Sequence, residues 1–188
     1  MNSPAQHRKK DPTRLHQLLL ESAATIAGRD GIASLSLNAV AQEAGVSKGG
    51  LLHHFPSKQA LIFALFARLL AIMEEAIAEL MRQDEVAYGR FTRAYLHYLS
   101  DLTDTQESRQ LMVLSLAMPD EPVLRKCWRD WMLEHLAQGD GLDNSHTGTL
   151  VRYAADGIWL SELTEGRTLS AEHRQSLVSD LTRMTLPA

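Results

Sequence analysis

The sequence predicts an all-α fold of about nine helices, ordered as three short, one long and five more. Three observations carry this. Nearly every stretch repeats its apolar residues with helical period, and Gly, Pro, Ser and Asn punctuate the chain at intervals that suit helix ends. No run of strict alternation is long enough for a strand.

The first helix places Leu15, Leu18, Leu19, Ser22, Ala23 and Ile26 on one face and ends by Gly28–Gly31, where Gly31 can take a positive φ. Ser36 then caps a short second helix through Leu37, Val40, Ala41 and Ala44, which Gly45 breaks. Ser47 caps a third helix running to about His54, and Pro56 ends it, because the residue before a proline avoids the α region. Ser57 caps a long fourth helix over Lys58–Arg82 with the stripe Leu61, Leu65, Leu69, Ile72/Met73, Ile77 and Leu80. Five further patterns cover Tyr88–Leu102, Glu107–Ala117, Asp120–Gln138, Gly148–Glu165 and Ala171–Met184. Breaks fall at Pro119, at Gly139–Ser145 and at Gly166–Ser170, where Gly166 reads as the stop and Ser170 as the next cap.

A chain of 188 residues can bury a core without staples, and 45% hydrophobic with 22% charged residues is the balance of a globular protein. Cys127 is the sole cysteine, so an internal disulfide is excluded. The first 14 residues are polar and basic, and the apolar stretch Leu61–Ile77 is interrupted by Arg68, Glu74 and Glu75. The expectation is therefore a cytoplasmic protein with no membrane span. The net charge of −4 is unevenly spread. Up to residue 58, seven bases (Arg8, Lys9, Lys10, Arg14, Arg29, Lys48, Lys58) face four acids (Asp11, Glu21, Asp30, Glu43). The remainder is acidic, and a basic front on an acidic body fits a local nucleic-acid footprint.

Leu37–Phe55 reads LNAVAQEAGVSKGGLLHHF. Ala41 is small enough for two helices to cross at a steep angle, and Gly45 suits a tight turn between them. Val40, Ala44, Val46 and Leu51 are spaced to seal a small core. This leaves Ser47, Lys48, Gly49, Gly50, His53 and His54 on the outer, leading face of the third helix, as a recognition helix needs. Lys48 and Lys58 can neutralise phosphates. Ser36 and Ser47 present helix N-termini that attract phosphate, and His53 and His54 can donate to it. Gly49 and Gly50 let the backbone approach base edges, at about 1 kcal/mol each in helix propensity. Metal chelation by His53 and His54 is discounted, because neighbours on a helix diverge by about 100°.

These strings resemble the DNA-binding domain of the TetR family of bacterial regulators. The carriers are Leu18–Ala27 with Gly31, then Ser36, Val40, Ala41, Ala44, Gly45, Val46, Ser47, Lys48 and Gly49, then Leu51, His54, Phe55, Ser57, Lys58 and Leu61. Ala155–Leu160 is similar to a segment of the family's penultimate helix. The family usually carries Tyr at the position of Leu52, and often at that of His53, where the hydroxyl contacts phosphate. Leu52 has no hydroxyl, so that contact is not carried over.

The resemblance implies a homodimer on a palindromic double-stranded operator, a small-molecule effector and no enzymatic activity. It divides the chain into a flexible basic tail (1–12), a helix-turn-helix DNA-binding domain (13–57) and a C-terminal ligand-binding and dimerisation domain (58–188). The dimer would form through the last two helices, with Ala154, Gly157, Ile158, Ser161, Leu177 and Leu181 at the interface. Gly148 and Ala155 would also let partner helices approach. Candidate pocket residues are Tyr95, Met112, Met118, Trp128, Trp131 and Trp159, with Asp156, Glu162 and Asp130 available to attract a cation. The same residues at helical spacing are more often the makings of a plain core. The function expected is a repressor released by a small hydrophobic or cationic ligand, controlling an efflux or detoxification gene. No cofactor or metal is expected. Two readings stand beside it: a helical adaptor that has lost DNA binding, and an enzyme with an appended helix-turn-helix.

Overall fold

The computed structural model describes residues 12–102, 106–161, 164 and 169–187, with the backbone alone at 106, 107 and 112. Among the described residues there are nine α-helices and no strand. They are α1 (Pro12–Asp30), α2 (Leu37–Glu43), α3 (Lys48–Leu52), α4 (Lys58–Gln83), α5 (Arg90–Asp101), α6 (Gln106–Ala117), α7 (Pro122–Gln138), α8 (His146–Ser161) and α9 (Ala171–Met184). A short 3-10 turn, Ile32–Ser34, follows α1. The chain forms two compact units, residues 1–66 and 67–188, and α4 runs through both.

In the first unit, α1 buries Leu19, Leu20, Ala23, Ala24, Ile26 and Ala27. Leu18, expected on that face, is 41% exposed. One residue is 100° of helix, so centring the stripe on Leu19, Ala23 and Ile26 turns Leu18 outward. Gly31 takes φ 80°, as the stop requires. α2 ends in a Schellman turn: the Val46 N–H donates to Ala41 O (2.9 Å) and the Gly45 N–H to Gln42 O (3.1 Å). Gly45 sits at φ 65°, where a side chain would be strained. α3 is shorter than its apolar pattern suggests. Its last turn tightens where the His54 and Phe55 N–H groups both donate to Leu51 O, just ahead of Pro56. Ser57 Oγ then accepts from the Ala60 N–H (3.1 Å) and starts α4.

Along α4 the inward face is broader than the expected stripe. Ile62, Phe66 and Leu70 join Leu61, Leu65, Leu69, Met73 and Ile77, while Ile72 is exposed. In the second unit the core gathers Met73 and Ile77 from α4, Phe91, Ala94, Tyr95, Leu96 and Leu99 from α5, and Val151 and Ala155 from α8. α5 is central because its i, i+4 aromatics Phe91 and Tyr95 are both buried and α8 packs along it.

The expected break at Gly139–Ser145 is a folded loop rather than a loose one. Asp140 accepts from the Gly89 N–H (2.6 Å) and from the Leu142 and Asp143 N–H groups. Buried Asp143 accepts from both the N–H (3.0 Å) and the hydroxyl (2.7 Å) of Thr92. Arg152 closes the network by donating to Thr92 Oγ1 and Asp143 O, each at 2.8 Å. Ser145 Oγ accepts from the Gly148 N–H (3.1 Å), so α8 begins two residues before Gly148. Gly148 is buried against its own chain: a Cβ there would stand 2.2 Å from Leu142 O. Ala155 is likewise fully buried in the core. Both were expected to ease contact with a partner helix. Both instead serve packing within the chain, because loop and α5 backbone approach α8 on that side.

Candidate nucleic-acid interface and aromatic site

α3 is five residues long, so its placement depends on its neighbours. Ser36 Oγ accepts from the Ala39 N–H and Ser47 Oγ from the Gly50 N–H, each at 3.1 Å, which starts α2 and α3. Val40, Ala41, Leu51 and Phe55 are buried beneath, while Ala44 and Val46 are half-buried. The outer face then carries Ser36, Ser47, Lys48, Gly49 and His53, all exposed, with Gly50, His54 and Lys58 half-buried at its margin. A Cβ at Gly49 would meet nothing within 4 Å, so that position is open to a close ligand.

Two features of this face escape a linear reading. Leu52 is 39% exposed, so an apolar side chain stands among the polar ones. His16 on α1 lies with its ring 5.7 Å from that of His54 and 4.7 Å from that of Phe55. Nothing local marks His16, which is 38 residues from its partner.

The candidate pocket residues divide. Tyr95 from α5 and Trp128 and Trp131 from α7 come together: Tyr95 and Trp128 centroids lie 6.5 Å apart, and Trp128 and Trp131 stack at 5.3 Å. Trp159 packs on the same core, its buried indole N–H with no hydrogen-bond partner among the described residues. Met118 sits at the end of α6, where its carbonyl accepts from Arg125. The side chain of Met112 and all of Glu162 lie outside the described residues. Asp130 pairs with Lys126 on the surface.

Two participants, Glu74 and His135, were not foreseen. Phe91 lies 6.1 Å from Trp131 and stacks flat on His135 at 4.6 Å. Glu74 on α4 accepts on one oxygen, Oε2, from Trp131 Nε1 (2.7 Å) and meets His135 Nε2 there (2.6 Å). At the far end of this aromatic row the Tyr95 hydroxyl donates to Asp156. Burial first, then the charge and hydrogen bond of Asp156, push the Tyr95 pKa well above its ordinary value. Burial also raises the Asp156 carboxyl, against the pull of the Tyr95 hydroxyl and the Arg152 charge. The row therefore has an acid at each end, one half-open and one sheltered. Cys127 is partly buried, and burial followed by the nearby Asp130 charge raises its thiol pKa, so it has little thiolate character. Among the described residues no group of His, Cys, Asp and Glu could hold a metal ion. No helix among them is long and apolar enough to cross a membrane.

A helix-turn-helix unit ahead of a larger helical unit is the architecture of a DNA-binding transcription regulator. The chain belongs to the TetR family: the profile for bacterial regulatory proteins of the tetR family matches residues 19–65, and that for the tetracyclin repressor-like C-terminal domain matches residues 89–186. It is thus a transcription regulator rather than an enzyme. It is 25% identical over 174 residues to the HTH-type transcriptional repressor KstR2 of Mycolicibacterium smegmatis, covering 86% of this chain and 85% of that protein. The crystal structure of the multidrug binding protein EbrR complexed with imidazole is similar over 100% of both chains, with TM-score 0.70 and 25% identity. A transcriptional regulator from Rhodococcus matches in fold with TM-score 0.74 at 19% identity, covering 91% of this chain and 95% of that one.

Proposed function

We propose that this protein is a cytoplasmic repressor that binds a palindromic operator as a homodimer and leaves it when a small hydrophobic or cationic effector binds. Residues 13–57 act as the DNA-binding domain, preceded by a basic tail (1–12), and residues 58–188 as the ligand-binding and dimerisation domain. The observation that supports this most is the exposed face of α3. Ser47, Lys48, Gly49 and His53 stand clear of the fold on a short capped helix. Lys48, Lys58, His53 and His54 supply phosphate contacts, and the open backbone at Gly49 favours readout of groove shape, with Gly50 beside it at the margin of the face.

Dimerisation is supported by α8, whose Leu150, Tyr153 and Leu160 are 55%, 71% and 42% exposed. With exposed Gly157 and half-buried Ala154 and Ser161 they make an apolar, small-residue face. Ile158, Leu177 and Leu181 flank it half-buried, Leu181 also packing on the core. The aromatic row between Glu74 and Asp156 supports an apolar or cationic effector, with Tyr95, Trp128, Trp131 and Trp159 as its walls and Met118 as a further contact. The description of EbrR as a multidrug binding protein favours control of an efflux or detoxification gene.

Fluorescence anisotropy with DNA flanking the protein's own gene tests the reading. Tight, salt-sensitive, sequence-specific binding is expected, and its absence would sink the proposal. Lys48→Ala should weaken binding to all sequences alike and reduce the salt slope by about one phosphate contact, with the dimer intact on sizing. Exposed Leu52 is the feature that favours the adaptor reading, in which no DNA sequence is retained.

A further inference from the structure

Between α4 and α7 lies a cleft of about 290 Å³, walled by Leu70 and Glu74 from one helix and Trp131, Glu134, His135 and Gln138 from the other. Its polar groups are under-used. Both contacts to Glu74 land on Oε2, and Oε1 has no hydrogen-bond partner among the described residues. A carboxylate offers about four acceptor positions, so at least two remain. The Glu134 carboxylate and the Gln138 amide also make no hydrogen bond among the described residues. No lysine or arginine lines the cleft, so two acids stand there with only His135 to offset them. Trp131 adds an aromatic wall, braced from behind by its stack on Trp128.

We propose that this cleft binds a small organic cation with a flat, N–H-bearing head, of the amidinium or guanidinium kind, and that Glu74 and Glu134 hold it. Such a head offers paired donors that match a carboxylate edge, and it lies well on an indole face. The volume is at the lower end for ligand pockets, which suits a single ring with a charged head rather than a large dye. A donor arriving at Glu74 competes with Trp131 and His135 for the same carboxylate. The ligand therefore loosens the tether between α7 and α4, the helix that continues unbroken from residue 58. This deepens, and rests on, the reading of the protein as an effector-controlled regulator.

Calorimetric titration of the full chain with benzamidine, against its neutral shape-mate benzamide, tests the site. Saturable one-to-one binding of benzamidine is expected, with benzamide weaker by roughly tenfold or more. Glu74→Gln and Glu134→Gln should each raise the benzamidine Kd by a similar factor. If Glu74→Gln does not fold, Glu134→Gln carries the test alone, since its carboxylate holds nothing in the fold. Equal binding of the two probes, an unchanged Kd in the folded variants, or no saturable heat with benzamidine overturns the proposal. Loss of operator recognition with benzamidine binding intact would instead overturn only the regulator reading. Operator binding without benzamidine binding would overturn only the cleft.

Discussion

The buried Tyr95 hydroxyl donates to the Asp156 carboxylate, joining α5 to α8 at the sheltered end of the aromatic row. Burial holds the Asp156 carboxyl above the ordinary range. The sign follows from linkage. A carboxyl with a raised folded pKa contributes its stability below the unfolded pKa and loses it as pH rises through the folded value. At neutral pH the charged form is therefore a liability. Asp156→Asn keeps an acceptor for Tyr95 and removes that charge. Its melting temperature should equal or exceed that of the parent at pH 7, and the advantage should shrink as pH falls toward the carboxylate range. A variant less stable at pH 7 would show that the charge is needed where it stands.

Leu52 offers a gain-of-function test of the proposed DNA face. Being 39% exposed, it can accept a hydroxyl without desolvation cost. Leu52→Tyr should tighten operator binding severalfold by adding a phosphate donor, a contribution of about 1 kcal/mol. Anisotropy titrations of the two proteins at one salt concentration give the comparison. Weaker binding would place this edge of α3 away from the backbone.

Arg93 is a buried cation with every group occupied. Its Nε pairs with Asp84 Oδ2 at 2.7 Å, and its other nitrogens donate to Val86 O, Tyr88 O and Thr185 O. It thus ties the α4–α5 connection to the end of α9. Burial would raise the Asp84 pKa, but the Arg93 bond, the Val86 N–H and the charges of Arg93 and Arg90 hold it below the usual carboxylate range. That contribution is complete at neutral pH and is lost as pH falls through the folded value. Arg93→Met should cost about 3–5 kcal/mol in urea unfolding, since it strands a carboxylate and three carbonyls. It should also blunt the acid sensitivity of unfolding.

Gly148 is predicted to reject any side chain, because the obstacle at 2.2 Å is the Leu142 carbonyl, a backbone atom already engaged by Ser145. Gly148→Ala should destabilise by about 1–3 kcal/mol. Gly157, on the exposed face of α8, has nothing within 4 Å of such a Cβ. Gly157→Ala should leave the stability of the isolated chain unharmed, and melting curves of both variants at low protein concentration separate the two roles.

The helix order and the helix-turn-helix were legible because their signals are local. Ser36, Ser47, Ser57 and Ser170 each cap within three residues, and Gly31 and Gly45 take positive φ where the pattern stops. The exposed outer face of α3 follows from the same short-range spacing. Register errors entered where two faces of a helix are both apolar, as at Leu18 and Ile72. There periodicity alone does not say which residue faces inward.

By itself, then, the sequence determined the all-α order, the capped α2–α3 pair and the family to which it belongs. Caps, turns and helical period act over a few residues and need no distant partner. Only the tertiary structure decided that Glu74 serves Trp131 and His135, that Tyr95 shelters Asp156, that His16 stands behind His54 and that Gly148 is spent on the chain's own loop. Each joins residues 38 to 61 positions apart, or a loop folded back on a helix. Such pairings depend on how the helices pack, which local pattern does not encode.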